Sequence, residues 1–270
     1  MFLKVGDIEK IMEVYAPTIL KEDYDNVGLM VGDKDAKVTK ILIALDCTMD
    51  VISEAMDSGC NFILTHHPLL FVKPKTITTD TIVGKKIIKL IKNDINVYAS
   101  HTNLDSAKGG LNDIATRLLG YNKFQIIQPS KNSYGDGQAG IGRLVLLEEP
   151  IKFGELCENV KKTFNAEFIR YVGHHNDLIK TIAIINGSGE DFFDASVKLG
   201  ADCIITGDTK YHHVNDLKEQ NIALIDAGHF ATEWIPLKIF GEVLKKQLLQ
   251  NGYDNEVLIS EISKDPYKTK

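Results

Sequence analysis

The chain repeats a strand–helix–strand pattern, and this repeat constrains the fold more than any other feature. In the first half, NFILT at 61–65 follows a helix that Gly59 stops. In the second half, DCIIT at 202–206 follows a helix that Gly200 stops, 141 positions later. The strand before each helix is also apolar, ILIALD in the first half and TIAIIN in the second. The repeat therefore predicts an α/β protein of two βαβ halves related by a pseudo-two-fold axis.

Each half continues into a third strand that ends in a histidine followed four positions later by an acid. INVYASHTNLD carries His101 and Asp105, and IALIDAGHFATE carries His229 and Glu233. In open α/β sheets, ligands collect in the crevice beyond the carboxyl ends of the strands. We therefore expect both pairs to face one crevice between two interlinked α/β sandwich lobes. Taken alone, either pair is also typical of residues that merely cap a helix.

The first half carries a further pair of adjacent histidines at the end of its second strand. In FILTHHPLLF, His66 and His67 follow the apolar run, and Pro68 disfavours a helical turn directly after them. The second half has Gly207 and Asp208 at the corresponding positions. An isolated pair of this kind is as typical of hydrogen-bonded histidines at a core edge as of a metal site. Together with the two H-x-x-x-acid pairs, it predicts one asymmetric site built on a symmetric scaffold.

Imidazoles and carboxylates at strand ends are typical ligands of Zn, Mn, Fe or Co. Five donors exceed the three protein ligands of an ordinary catalytic zinc. They suit two divalent ions that share a bridging carboxylate and activate one water. His101 is then a base, an orienter of a ligand or a sixth donor. The predicted metal ligands are His66, His67, Asp105, His229 and Glu233.

Composition limits the class of protein. The net charge of -6 and the pI of about 5.8 argue against a nucleic-acid partner, which favours a basic face. No apolar run reaches the roughly 18 residues of a membrane span, and the first ten residues lack the apolar core of a signal peptide. The four cysteines are widely separated, which favours neither a disulfide framework nor a zinc knuckle. We expect a cytoplasmic protein with no membrane partner.

A polar segment marks the expected crossing between the lobes. Residues from about 121 to 140 are rich in Gln, Ser, Asn and Gly, so we expect lobes formed by 1–125 with 230–270 and by 126–229. Within this segment GDGQAG matches the dinucleotide pattern, but a strand-like run follows it where a dinucleotide loop opens a helix. We therefore reject a dinucleotide site. A second histidine pair, His174 and His175, follows no apolar strand, and we expect it in an exposed turn.

The motifs also resemble a known family. DNVGLMVGD, ILTHHPLLF, SHTNLD, and ITGDTKYHH through DAGHFATE occur in the order found in the dinuclear metal-centre proteins named GTP cyclohydrolase 1 type 2 homologues, which are related to the NGG-interacting factor. The resemblance covers residues 8 to about 240 and implies a short form without the domain that longer members insert. It implies the same five metal ligands, with Glu233 as the bridge. It also implies a toroidal homohexamer, a trimer of dimers. Tyr24 and His213 depart from the usual Trp and acid, which bears on substrate contacts only.

The resemblance suggests a metal-dependent hydrolase that opens the purine ring of GTP, with a small-molecule, nucleotide substrate. In that reaction Asp208, Lys210, His212 and His101 would supply proton transfer or phosphate contacts. The residues themselves carry no P-loop or other nucleotide fingerprint, and Lys210 and His212 are equally typical of a surface loop. The alternative is a non-catalytic metal-binding scaffold or regulator of the same family.

Overall fold

The computed structural model describes residues 2–131 and 137–268, and the chain divides into two compact units. The first unit contains the described residues up to Leu104 and those from Leu237 onward. The second unit runs from Asp105 to Pro236. Each unit contains a mixed sheet with helices packed on it, so the predicted α/β class with two multi-strand sheets is confirmed.

The first unit is built on a five-stranded sheet of order β1-β4-β3-β2-β11. Strands β2, β3, β4 and β11 run parallel, and β1 pairs antiparallel with β4 at one edge. Thr48 caps helix α2 through its side chain, and Gly59 ends that helix at a φ of +72°. The elements are α1 (Val5–Tyr15), β1 (Gly28–Val31), β2 (Ile41–Ala44), α2 (Met49–Ser58), β3 (Phe62–Thr65), α3 (Ile82–Lys92), β4 (Asn96–Ala99) and, after the second unit, β11 (Val257–Ile259).

The second unit is built on a six-stranded sheet of order β5-β6-β8-β9-β10-β7. Its central strands β8, β9 and β10 are parallel, and the remaining pairs are antiparallel. Its elements are α5 (Leu111–Leu118), β5 (Gln125–Pro129), β6 (Gly140–Lys152), α6 (Phe153–Thr163), β7 (Arg170–Val172), β8 (Leu178–Ser188), α7 (Phe193–Lys198), β9 (Cys203–Gly207), α8 (Tyr211–Glu219) and β10 (Ala223–Asp226). Helices α4 (Thr102–Ser106) and α9 (His229–Gln250) contain the two unit boundaries.

The internal repeat extends to the pairing register of the strands. Ile41 lies opposite Phe62 in the first sheet, and Ile182 lies opposite Cys203 in the second, each 141 positions later. In both sheets the third parallel strand, β4 or β10, then pairs with an antiparallel edge strand. The predicted βαβ repeat is therefore present in both units, with the same strand order from the antiparallel edge inward.

The boundaries of the units differ from the lobes expected from composition. Residues 105–125 and 230–236 were expected in the first lobe, but they belong to the second unit. The reason is packing, because α5 lies on β6 and β8. Ala115 and Leu119 are buried in one core cluster with Val145 and Ile182. Composition marks a polar segment but does not show which sheet the preceding helix covers.

Two smaller expectations concern loops. Residues 135 and 136 of GDGQAG lie outside the described residues, but β6 begins at Gly140 and no helix follows the motif directly. His174 and His175 lie exposed in a turn, as predicted, and His175 Nε2 lies 3.0 Å from the Tyr171 hydroxyl.

Among the described residues, no helix is long and apolar enough to cross a membrane.

Candidate metal centre

Three histidines of the first unit converge at the carboxyl ends of β3 and β4. His66 and His67 follow β3, and His101 follows β4, which is parallel to β3. One ring nitrogen from each of the three lies within 4.8 Å of the others. His66 is fully buried, while the side chains of His67 and His101 are 24% and 19% exposed. The arrangement is a candidate metal-binding group that also leaves room for solvent or substrate.

The hydrogen bond of His66 assigns its tautomer. Nδ1 lies 2.9 Å from the backbone carbonyl oxygen of Ser100, which can only accept. Nδ1 therefore carries the proton, and Nε2 is the nitrogen with the lone pair. Histidine ligands of metal ions are held in this way in general, with the second ring nitrogen donating to an oxygen.

The other two rings of the group are held through the same nitrogen. His67 Nδ1 donates to Asp46 Oδ1 at 2.8 Å, and His101 Nδ1 donates to Asp25 Oδ1 at 2.9 Å. Both acceptors come from segments distant in sequence. Because a carboxylate accepts from Nδ1, Nε2 is again the nitrogen with the lone pair, and its basicity is raised.

Asp25 is a buried carboxylate that depends on its hydrogen bonds. Burial alone would raise its pKa, but hydrogen bonds and charge from His101, with further hydrogen bonds from Thr102, lower the pKa to about 2. Oδ2 accepts from the Thr102 backbone at 3.1 Å and from the Thr102 hydroxyl at 2.5 Å. The carboxylate is therefore ionised at neutral pH and keeps the His101 ring in place.

The second unit contains a histidine and an acid on the first turn of α9. His229 Nε2 lies 2.9 Å from Glu233 Oε2, one helical turn away, and His229 Nδ1 lies 2.8 Å from Asp208 Oδ2. The Glu233 side chain is 5% exposed. Asp208 adopts a φ of +52°, which is uncommon outside glycine, and this backbone geometry accompanies its role as acceptor. The imidazole is held through Nδ1 here as well.

Two glycines make space for the pair of His229 and Glu233. A Cβ at Gly207 would lie 2.6 Å from the backbone nitrogen of His229, so the residue that corresponds to His66 must be glycine here. A Cβ at Gly187 would overlap the carboxylate of Glu233. The difference between the halves at positions 66 and 207 therefore follows from how closely two backbone segments approach.

Asp105 lies in the second unit on α4, and its backbone carbonyl accepts from Asn112 Nδ2 at 3.2 Å.

A buried ion pair lies close to Asp105. In this pair Arg143 Nε donates to Asp113 Oδ1 at 2.5 Å. Burial, the largest effect, lowers the pKa of the Arg143 guanidinium, while the charges of Asp113 and Asp105 favour its protonated form. Asn186 is also buried. Among residues 2–131 and 137–268, neither the oxygen nor the nitrogen of its side-chain amide has a hydrogen-bond partner.

The predicted catalytic residues occupy different environments. Asp208 holds His229, as described above. The ammonium of Lys210 lies 2.9 Å from the buried carboxylate of Glu190, which also accepts from the Lys210 backbone nitrogen. The hydrogen bond to Glu190 raises the pKa of Lys210. His212 is exposed and touches the Tyr211 ring. Lys210, at the N-cap of α8, and His212, on the first turn of α8, are therefore accessible groups, whereas His101 lies within the histidine group of the first unit.

Sequence reasoning missed Asp46 and Ser100 as orienting groups. A signal for Asp46 existed, since it follows β2, the parallel neighbour of β3, and carboxyl ends of parallel strands meet at one edge. Ser100 acts through its backbone, so its side chain carries no signal.

Comparison with known proteins identifies the family. The family model described as Duf34/NIF3 (NGG1p interacting factor 3) matches residues 3–266. The chain belongs to the Duf34/NIF3 family. A relative from Clostridium acetobutylicum, named GTP cyclohydrolase 1 type 2 homolog, is 53% identical over the full length of both chains. A relative of the same name from Staphylococcus epidermidis is 29% identical over 370 positions, which cover 99% of this chain of 270 residues and 100% of the relative, so the relative carries about 100 additional residues.

Solved structures confirm the Duf34/NIF3 fold. The Staphylococcus aureus hypothetical protein SA1388 superposes with a TM-score of 0.93 at 30% identity and covers 100% of both chains. Reduced HcgD from Methanocaldococcus jannaschii superposes with a TM-score of 0.80 at 30% identity, covering 97% of this chain and 99% of the other. The Duf34/NIF3 chain described here thus carries candidate metal-binding groups of histidine and glutamate on its family's fold.

Proposed function

We propose that this chain is a metal-dependent hydrolase with two divalent ions per subunit. The supporting observation is that His66, His67, His101 and His229 are all held at Nδ1 by an oxygen acceptor. Four imidazoles that each donate from Nδ1 to an oxygen are typical of metal ligands, because a histidine ligand almost always donates its other ring N–H in this way. Zn, Fe, Mn and Co all suit this donor set.

In this proposal His66, His67, Asp105, His229 and Glu233 would hold the two ions, and Glu233 would be shared by both. His101 is a further donor or a proton carrier beside them. When bound, the ions supply Lewis acidity and lower the pKa of water.

The chain's own groups have defined tasks in this proposal. Asp46, Asp25 and Asp208 keep Nδ1 of their histidines protonated and fix the rings, which limits reorganisation during reaction. In this proposal Lys210 and His212, which are exposed at the start of α8, contact a phosphate of an incoming nucleotide. The relatives' name suggests GTP as the substrate, with ring opening as the reaction.

Metal analysis with matched histidine variants tests the centre. After reconstitution with zinc, we expect about two equivalents per chain, and we expect His67→Ala to lose at least one. His175→Ala is the control, because it removes an exposed histidine from the other HH pair. Less than one equivalent in the reconstituted wild-type protein would exclude a dinuclear centre.

Turnover is tested with metal-loaded protein on nucleotides, phosphoesters and cyclic amides. We expect saturable hydrolysis of one class and a loss of at least about 100-fold in kcat/KM for Glu233→Ala. If no class turns over and Glu233→Ala alters only metal content or assembly, the protein is a metal-binding scaffold. The family description, which names an interacting factor, favours that second candidate.

We also propose that the chain assembles into a toroidal homohexamer, a trimer of dimers. The support is family membership, which the match over residues 3–266 establishes. Sedimentation of the metal-loaded protein at micromolar concentration tests it directly. A monomer of 30.0 kDa under those conditions contradicts the proposal.

A further inference from the structure

Two exposed aromatic rings stand beside the histidine group of the first unit. Tyr24 is 61% exposed and Phe71 is 49% exposed, and their ring centroids lie 6.3 Å apart at an interplanar angle of 62°. Phe71 in turn lies 6.3 Å from the His101 ring at 81°. The centroid of the His101 ring lies 5.0 Å from that of the His66 ring and 5.6 Å from that of the His67 ring. The exposed pair therefore lies next to the three imidazoles of the candidate centre, with Phe71 in contact with His101.

The two rings come from different segments that a hydrogen bond joins. Asn26 Nδ2 donates to the backbone carbonyl of Leu70 at 2.7 Å, so the residues next to each ring are tied together. Asp25, between Tyr24 and Asn26, is buried and binds His101. Within this short segment, Asp25 therefore orients His101, and Tyr24 presents an exposed aromatic ring. The position of Tyr24 relative to His101 is consequently defined before any ligand binds.

The hydrophobic cluster of the first unit, which includes Val31, Ile63 and Val97, has Leu69 and Leu70 packed against it. Among the described residues, Tyr24 and Phe71 are not members of this cluster. Exposure of two large aromatic side chains forgoes the gain from burying them. Aromatic faces stack on planar rings, and such stacking tolerates many bases because each has a π-face. The Tyr24 and Phe71 rings meet edge-on, and so do the Phe71 and His101 rings. Tyr24 and Phe71 therefore keep exposed surface for a flat ligand.

We propose that Tyr24 and Phe71 form a stacking subsite for a planar nitrogen heterocycle of the substrate, adjacent to His66, His67 and His101. The subsite deepens the proposed function, on which it rests, by naming the part of the substrate that the chain recognises. It binds the ring and needs no phosphate. A substrate with a purine-like ring would thereby be held with that ring next to the imidazoles.

Equilibrium titration with guanosine and with ribose 5-phosphate tests the subsite, in both zinc-loaded and metal-free protein. We expect guanosine to bind and Tyr24→Ala and Phe71→Ala each to weaken binding about tenfold, within the roughly 5- to 150-fold that stacking on one aromatic side chain contributes. Tyr24→Phe keeps a ring and should retain binding. Phe168→Ala is the matched control, because Phe168 is 47% exposed and lies in the second unit.

Each outcome decides the matter. Undetectable guanosine binding to wild-type protein, or unchanged affinity in both alanine variants, overturns the subsite. So does a result in which the alanine variants change only the assembly state in sedimentation, since the rings would then belong to an interface between copies. Guanosine binding that depends on Tyr24 and Phe71 in a protein that retains no metal supports the subsite while the proposed hydrolase fails. Metal-dependent turnover with an unchanged KM in both alanine variants supports the proposed hydrolase and overturns the subsite.

Discussion

Gly187 lies against the carboxylate of Glu233 so closely that a Cβ at position 187 would overlap Oε1. Its φ of +59° is also a conformation that glycine adopts readily. Asp46 stands 141 positions earlier, at the matching place in the repeat, and its carboxylate binds His67. The same position therefore supplies an orienting acid in one half and space for an acid in the other. This explains how two similar halves contribute different groups.

Gly187→Ala should displace Glu233 and reduce zinc affinity, in addition to strain of about 1 kcal/mol from the backbone conformation. We expect the rise in Tm on adding zinc to shrink or disappear. Gly200→Ala is the matched control, because Gly200 has a φ of +84° and a Cβ at that position would meet no atom within 4 Å. The control should lower Tm in the absence of zinc and keep the zinc-dependent rise. An unchanged rise in Gly187→Ala would contradict the role assigned to this glycine.

Asp46→Ala removes the acceptor of His67 Nδ1 without touching a proposed ligand atom. Loss of such a partner typically weakens metal binding about 10- to 100-fold, and we expect a change in that range. Competition with a zinc chelator measures it. Asp57→Ala, which removes an exposed acid of the neighbouring α2, should leave the affinity unchanged. Equal affinities in the two variants would show that His67 is held by other contacts.

Asp25 makes stability depend on acid pH. Its pKa is about 2 in the folded protein and 3.8 ordinarily, so the ionised form is the one that folding favours. The stabilisation is complete above about pH 4 and is lost as the pH falls towards 2, and it amounts to about 2 kcal/mol. Urea unfolding of metal-free wild-type and Asp25→Asn at pH 7 and pH 3 measures the effect. The stability difference between the two proteins should be smaller at pH 3, and a constant difference would contradict the assignment.

The buried pair of Arg143 and Asp113 should show strong coupling. Arg143→Met removes the buried charged partner of the Asp113 carboxylate, which destabilises by about 3–5 kcal/mol. Adding Asp113→Asn to it should restore part of the loss, because the buried carboxylate charge is then gone. Arg117→Ala removes the exposed partner of the same carboxylate, at 3.3 Å, and should cost less than about 1 kcal/mol. Urea unfolding of the double-mutant cycle gives the coupling free energy. Strictly additive losses would show that the two charges act independently.

The sequence by itself determined the βαβ repeat, the strand ends and the residues that follow them. This was possible because apolar strand runs, helix-stopping glycines and Pro68 are local features whose periodicity can be read along the chain. His66, His67, His101 and His229 were chosen for their places after strands, and each proved to be held at Nδ1. The register shared by β2–β3 and β8–β9 shows that the repeat in residues is also a repeat in hydrogen bonding.

Only the tertiary structure decided which nitrogen of each histidine carries the proton, and which unit α5 belongs to. The acceptors Asp25, Asp46 and the Ser100 carbonyl lie in other segments than the histidines they hold, and one of them is backbone. Spacing along the chain can point to Asp46 as a neighbour at the sheet edge, but it does not show which ring nitrogen an acceptor holds. The placement of α5 depends on the complementarity of Ala115 and Leu119 to β6 and β8. Composition does not encode that fit, since similar apolar side chains line both sheets.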